Sequence, residues 1–429
     1  VPGKHGRDIA DLGLAPEGAA RIEWAGRGMP VLAEVGSRFA AAAPLAGFSV
    51  AACLHVTAET ANLMRVLRAG GARVSLASAN PLSTRDDIAA ALVAVDGVST
   101  FARRGVDRAR YYGHIRAALD AAGGGPVLVL DDGCDLVSTL HADRAEMLGR
   151  VRAGVEETTT GVIRLRQLAA AGLLRIPMVA VNDSGTRRMF DNRYGTGQSC
   201  VDAIMRATNM LMAGRILVVA GFGSCGQGIA DRARGLGARV LVTEIDPGRA
   251  LEATMEGHQV MPMAVAAALG DVFVTATGNR DVLRAEHFAT MRDGAVLANA
   301  GHFDVEIDLP ALADAAVTRR QVREQIEEFE LTDGRRLLLL GAGRVVNLSV
   351  ADGHPAAVMD VTFAGQALAL ARLAAGNLLE PGVHPLPADI DAEVARLKLA
   401  SLGVAIDTPS DEQRSYLSTW SHGLGSTDS

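Results

Sequence analysis

The chain has 429 residues, enough for two or three domains, and 49% of them are hydrophobic, ample for sizeable buried cores. Its formal net charge is −7 with no basic stripe or Lys/Arg-rich tail, which excludes nucleic acid as an electrostatically favoured partner and points to a small molecule. The four cysteines, Cys53, Cys134, Cys200 and Cys225, form no CxxC pair and no Cys/His zinc pattern, so reduced thiols and no metal are expected. Neither a secretory signal nor an uninterrupted apolar run of membrane-crossing length is read, and a cytoplasmic protein off the membrane is expected.

Residues 8–45 have helical apolar spacing through Ile22, Ala25, Met29, Val31 and Leu32. Residues 48–54 then read as a strand ending at His55. The next segment, TAETANLMRVLRAGG, reads as a helix with Thr57 as its cap and Glu59 in its first turn. A strand over 72–77 leads to SANPLSTRDDIAAAL, where Ser83 or Thr84 could cap a helix from Asp86. A strand over 127–130 ends in Asp131, Asp132 and Gly133. Strands alternating with helices predict a parallel sheet with its ligands beyond the carboxyl ends, and His55, Asn80 and Asp132 stand at three such ends, which predicts one shared site. The stretch NDSGTRRMFDNRYG, rich in polar and turn residues, reads as a hinge and active-site edge.

Residues 215–246 read as strand, glycine-rich turn, helix and strand. Gly221, Gly223 and Gly226 have the spacing that turns a strand tightly into a helix, so that backbone amides face a diphosphate. Glu244 at the tip of the following strand would accept hydrogen bonds from a ribose and repel a 2′-phosphate, which predicts NAD rather than NADP. A second polar junction, Asp352 to Pro355, precedes an apolar helix over 358–375, and helical spacing returns from Asp389 through Val394, Leu397 and Leu402. The expected fold is α/β with two Rossmann-like parallel-sheet domains. Residues 1–190 and 355–395 form a discontinuous substrate-binding domain, 196–350 the NAD-binding domain, and 396–429 a short C-terminal oligomerisation tail.

The blocks CLHVTAETA, SANPLST, LDDGCDL, GVEETTTGV, VNDSGTRRMFDN, GFGSCGQG, VTEIDP, FVTATGN, GHFDVEID and GHPAAVMD span nearly the whole chain. Together they resemble the S-adenosyl-L-homocysteine hydrolase family, in its compact branch. The resemblance implies a homotetramer, a tightly held NAD reduced and reoxidised within one turnover, and an adenine nucleoside or S-adenosyl-L-homocysteine between two lobes. It implies His55 as proton donor or acceptor at the 5′ leaving group, Asp132 as base at the 4′ carbon, and Glu157 on the 2′-hydroxyl. Asp191 and His302 would line the 3′-oxygen beside Arg187. Thr57, Glu59 and His354 would read the sugar-base unit, with Asn80, Arg85, Met359 and Phe363 grouped beside them. NAD would be held by Thr158, Thr159, Thr160, Asn192, Glu244, Asn279, His302 and Asn347, with Ser224 and Cys225 in the glycine turn.

The chain departs from the family pattern at informative places. Arg187 stands where the family has lysine, and a guanidinium, with a pKa above about 12, cannot act as a base. Arg85 replaces a glutamine, Thr196 a cysteine, and FARRGVDRARYYG an acidic, tryptophan-containing stretch. Arg85 and Arg187 together favour a specialised nucleoside dehydratase or lyase that oxidises the ribose 3′-hydroxyl transiently and leaves a 4′,5′-alkene. The alternative is the family's own hydrolase reaction, giving adenosine and homocysteine. A retired enzyme that binds NAD or nucleosides as a regulator ranks third.

Overall fold

A computed structural model describes residues 6–376 and 379–420. The amino-terminal part alternates strands β1 (Arg7–Asp8), β2 (Ser49–Leu54), β3 (Arg73–Ser78), β4 (Ser99–Phe101), β5 (Val127–Asp131), β6 (Val151–Glu156) and β7 (Pro177–Ala180) with helices. Every residue of β2, β5 and β7 is buried, as a parallel sheet requires when helices cover both its faces. The order is β1-β4-β3-β2-β5-β6-β7 with all pairings parallel. Chain order reverses between β2 and β5. The crevice beyond their carboxyl ends is where His55 and Asp132 follow directly.

The second sheet is built from β8 (Ile216–Ala220), β9 (Arg239–Thr243), β10 (Gln259–Val260), β11 (Val272–Thr275), β12 (Ala295–Asn299), β13 (Ala316–Arg323), β14 (Ile326–Leu331) and β15 (Arg336–Leu340). Its order is β10-β9-β8-β11-β12-β15-β14-β13, parallel as far as β15 and antiparallel over the last two pairings. Its own reversal lies between β8 and β11, so the glycine turn leaves β8 at the point where this topology binds a ligand. β16 (Gly382–Pro385) returns to the first sheet, parallel to β7.

The helix Ala356–Ala374 ties this return together. By length and composition it could cross a bilayer, yet 67% of that window is buried inside the protein. Asp360, fully buried at its start, accepts the amide of Leu32 at 2.8 Å and Nζ of Lys398 at 2.9 Å. One carboxylate thus joins three helices, because the helix Ala388–Ser401 brings Val394 and Lys398 onto the same face one turn apart. That helix runs through residue 396, so the expected boundary of the tail falls in mid-helix. The helix Asp411–Ser418 has no buried residue, and residues 421–429 of the expected tail lie outside the described residues.

Two local expectations change. The helix Asp86–Ala94 has Arg85 as its N-cap with no side-chain cap, because Ser83 and Thr84 are turned back into the β3 loop, where Ser83 Oγ lies 2.9 Å from the carbonyl of Asn80 and Thr84 donates to Ser78 Oγ at 2.7 Å. The stretch read as a hinge loop is helical. Gly185–Arg187 opens it, capped by Ser184, a π-helix covers Arg188–Gly195, and Thr196–Thr208 continues it. Its polarity serves a cavity wall rather than solvent, and wide π turns are frequent at such walls.

Candidate active site

A cavity of about 540 Å³ is lined from the carboxyl ends of both sheets, within the range of small-molecule sites. On the side of the first sheet, His55 Nδ1 lies 2.6 Å from Ser83 Oγ, and Ser83 donates its single proton to Asn80 O at 2.9 Å. Nε2 of the same ring lies 3.4 Å from Asp132 Oδ2. Burial, then the neighbouring His302 and His354, push His55 down to about 3. Burial pushes His302 down to about 4, and its Nδ1 is 3.8 Å from Asp132 Oδ1. Burial and the adjoining Glu157 and Glu156 raise Asp132 well above the usual carboxylate range. Two neutral imidazoles thus flank a carboxyl group that can hold a proton, an arrangement suited to moving one proton between neighbours.

Glu156, a residue the sequence reading passed over, builds that loop. Its carboxylate accepts the amides of Gly133 at 2.9 Å, Cys134 at 3.1 Å and Thr158 at 2.9 Å, and the Thr158 hydroxyl at 3.1 Å. Gly133, at φ +109°, must lack a side chain, since a Cβ there would meet His302 Nε2 at 2.5 Å.

Arg187 is 4% exposed at the centre of the cavity wall. It donates to Asn182 Oδ1 and lies 3.6 Å from Glu157 and 3.5 Å from Asp191. Burial opposes its charge, but Asp191 and Glu157 outweigh that and raise its pKa further. Burial likewise opposes the charge of Asp191, yet Arg187 and His354 hold it well below the usual range. Asp191 also accepts from Thr362 Oγ1 at 3.0 Å and faces His354 Nδ1 at 3.2 Å, while His354 Nε2 meets Thr196 Oγ1 at 3.2 Å. Glu157 is raised by burial, tempered by Arg187, and accepts Gln366 Nε2 at 2.8 Å. Thr57, Glu59, Met359 and Phe363 line the same cavity, and burial raises the Glu59 carboxyl.

Asn80 and Arg85 do not line it. The side chain of Asn80 caps a short turn by accepting Leu82 N at 2.9 Å, and its role is to hold the loop behind His55. Arg85 turns away to Ala351 O at 2.7 Å and Asp352 Oδ1 at 3.0 Å.

Toward the second sheet the cavity is lined by Thr158, Thr159, Thr160, Asn192, Gly223, Ser224, Cys225, His302 and Asn347. Gly221 and Gly226 lie behind that surface, as packing glycines: a Cβ on Gly226 would meet Gly221 O at 1.9 Å. Glu244 also stands off the lining. It accepts the amides of Phe222 at 2.7 Å, Ile245 at 2.6 Å and Asp246 at 3.0 Å. Asn279 is exposed, accepts Arg280 N at 2.9 Å and stands off the lining, while its neighbours Thr277 and Gly278, held from behind by Glu306, are part of it. The residues fit a nicotinamide dinucleotide: Asn347 anchors Nδ2 on Ser199 Oγ at 3.0 Å and leaves its buried Oδ1 without a partner, an acceptor for an amide donor.

Residues 192–353 match the family described as S-adenosyl-L-homocysteine hydrolase, NAD binding domain, and residues 7–152 match S-adenosyl-L-homocysteine hydrolase. Among curated proteins, adenosylhomocysteinase of Aquifex aeolicus (strain VF5) is 55% identical over 417 residues, covering 97% of this chain and 99% of its own. Adenosylhomocysteinase of Gloeobacter violaceus is 52% identical over 417 residues, covering 97% of each chain. That of Saccharolobus solfataricus is 52% identical over 416 residues, covering 97% of this chain and 99% of its own.

Proposed function

Because the chain belongs to the S-adenosyl-L-homocysteine hydrolase family and carries its NAD-binding domain, we propose that it cleaves S-adenosyl-L-homocysteine reversibly to adenosine and homocysteine. The observation that carries this reading is one cavity holding both the His55–Asp132–His302 group and the Glu157–Arg187–Asp191 group beside the glycine turn. NAD, when bound, supplies transient oxidation of the ribose 3′-hydroxyl, which acidifies the 4′ hydrogen.

The side chains divide the remaining work. Arg187, fixed as a cation, anchors the ribose oxygens and stabilises negative charge on them, and Asp191, kept ionised beside it, orients the 3′-hydroxyl and passes its proton on to water, being too weak a base to keep it. Asp132 in its ionised form takes the 4′ proton, and its neighbour His55 exchanges a proton with the 5′ sulfur as that bond breaks and with water as the product forms. Glu157, fixed by Gln366, holds the 2′-hydroxyl. Water is then added where homocysteine leaves, so the balance is hydrolysis.

The dehydratase expected from Arg85 and Arg187 loses support. Arg85 does not line the cavity and is paired with Asp352, Arg187 is matched by two carboxylates, and the relatives are named for the hydrolase. The test is incubation with S-adenosyl-L-homocysteine while free thiol is titrated. Thiol release with adenosine formed in equal amount is expected; no thiol, with water lost from an adenine nucleoside by mass spectrometry, would return the reading to the dehydratase.

A further inference from the structure

Beside the glycine turn after β8 lies a cation without an acidic partner. Arg249 lines the cavity, and its Nη1 is 3.7 Å from where a Cβ on Gly223 would stand. It belongs to the helix Pro247–Met255, whose N-cap Asp246 accepts the Arg249 amide at 2.9 Å. That bond places Arg249 in the first turn, where the positive end of the helix dipole disfavours a cation. Among the described residues no carboxylate pairs with its guanidinium. The acid at the tip of β9, Glu244, is satisfied by backbone amides. An arginine at the unfavourable end of a helix, unpaired and turned onto a backbone turn that faces anions, lacks only the anion.

We propose that Arg249 pairs with the diphosphate of bound NAD, opposite the amides of the glycine turn. A planar guanidinium suits two phosphate oxygens at once. The assignment rests on NAD as cofactor and not on which substrate is cleaved. Protein stripped of dinucleotide is titrated with NAD and with ADP-ribose, which keeps the diphosphate, at low and high salt. Arg249→Met is expected to weaken both ligands by about ten- to a hundredfold and to flatten the salt dependence, with Arg249→Lys recovering part. The stripped Arg249→Met variant is expected to unfold at the same or a higher temperature, since a cation has left the helix start. Unchanged affinities and salt dependence for NAD and ADP-ribose would overturn the proposal. A stripped variant that melts earlier and loses affinity only in proportion would make the role structural. Wild-type protein that binds neither ligand would overturn the NAD assignment instead.

Discussion

Arg187 is a cation buried between two carboxylates, and its value to the protein lies in being unable to let its proton go. Arg187→Met leaves Glu157 and Asp191 without their counter-charge in the interior, and such half-removed buried pairs cost about 3–5 kcal/mol; urea denaturation of the variant is expected to show a loss of that order. Arg187→Lys keeps a charge but makes it titratable. Formation of reduced NAD on adding adenosine, followed by absorbance, is then expected to acquire a pH dependence absent from the wild type, and identical profiles would show that this position does not govern the step. The imidazoles make a second prediction. His302 is neutral in the fold to about pH 4, while in the unfolded chain it binds a proton below about 6.5. The unfolded state therefore holds more protons between those values, and stability from this group is full above about 6.5 and lost as pH falls. His302→Asn removes the penalty, so its stability relative to wild type is expected to improve by about 2 kcal/mol between pH 7 and pH 5. Part of this scale was legible in the residues: His55 and Asp132 stand at strand ends that the alternation of strands and helices exposed. Glu156 was not, because one carboxylate beside another in a sequence does not reveal which is turned inward onto four donors.

The elements were legible where period and function agreed, as in β2, β5, β8 and the helix Ala58–Ala69 with its Thr57 cap. They were misread where a helix carries its polar groups toward a cavity. The segment from Gly185 to Gly195 has the composition of a loop, but Asp391 accepts the amides of Gly185 at 2.9 Å and Thr186 at 3.2 Å, and Ser184 caps Arg187, so its free amides are satisfied from a helix distant in sequence. No local pattern announces such a partner. The antiparallel end of the second sheet was equally hidden, since β13 is almost wholly exposed and lacks an inward face to alternate with. The same dependence on remote elements makes Lys398 a sharp test. Its ammonium answers the fully buried Asp360, and Lys398→Met is expected to lower the unfolding free energy by about 3 kcal/mol or more in urea. Replacing both, Asp360→Leu with Lys398→Met, is expected to recover much of it, since no buried charge is then left unpaired; a double variant as unstable as the single one would show that packing, rather than charge, joins these helices.

At the scale of the whole molecule the two sheets meet across the cavity, and Arg85 is one of the side chains that spans them. From the start of the helix Asp86–Ala94 it reaches Ala351 O at 2.7 Å and Asp352 at 3.0 Å, and Asp352 also pairs with Arg206 at 3.0 Å, which pairs with Asp202 at 2.9 Å. Asp352 is 65% exposed, so the pairs add little to stability and weaken in salt. Their position gives them a different weight. On one side the chain leads back from Arg85 to Ser83, which holds the ring of His55; on the other, two residues beyond Asp352, His354 meets Asp191 and Thr196. A contact that holds these two loops together holds both chemical groups of the cavity in one arrangement. Arg85→Gln is therefore expected to leave the unfolding midpoint within about 1 kcal/mol of wild type while hydrogen exchange quickens at residues 347–354 and turnover falls severalfold, with NAD affinity unchanged. High salt is expected to reproduce the exchange effect in the wild type and to add little in the variant. Exchange at 347–354 that ignores both the substitution and the salt would mean that packing along the helices, and not this chain of charges, holds the two loops together.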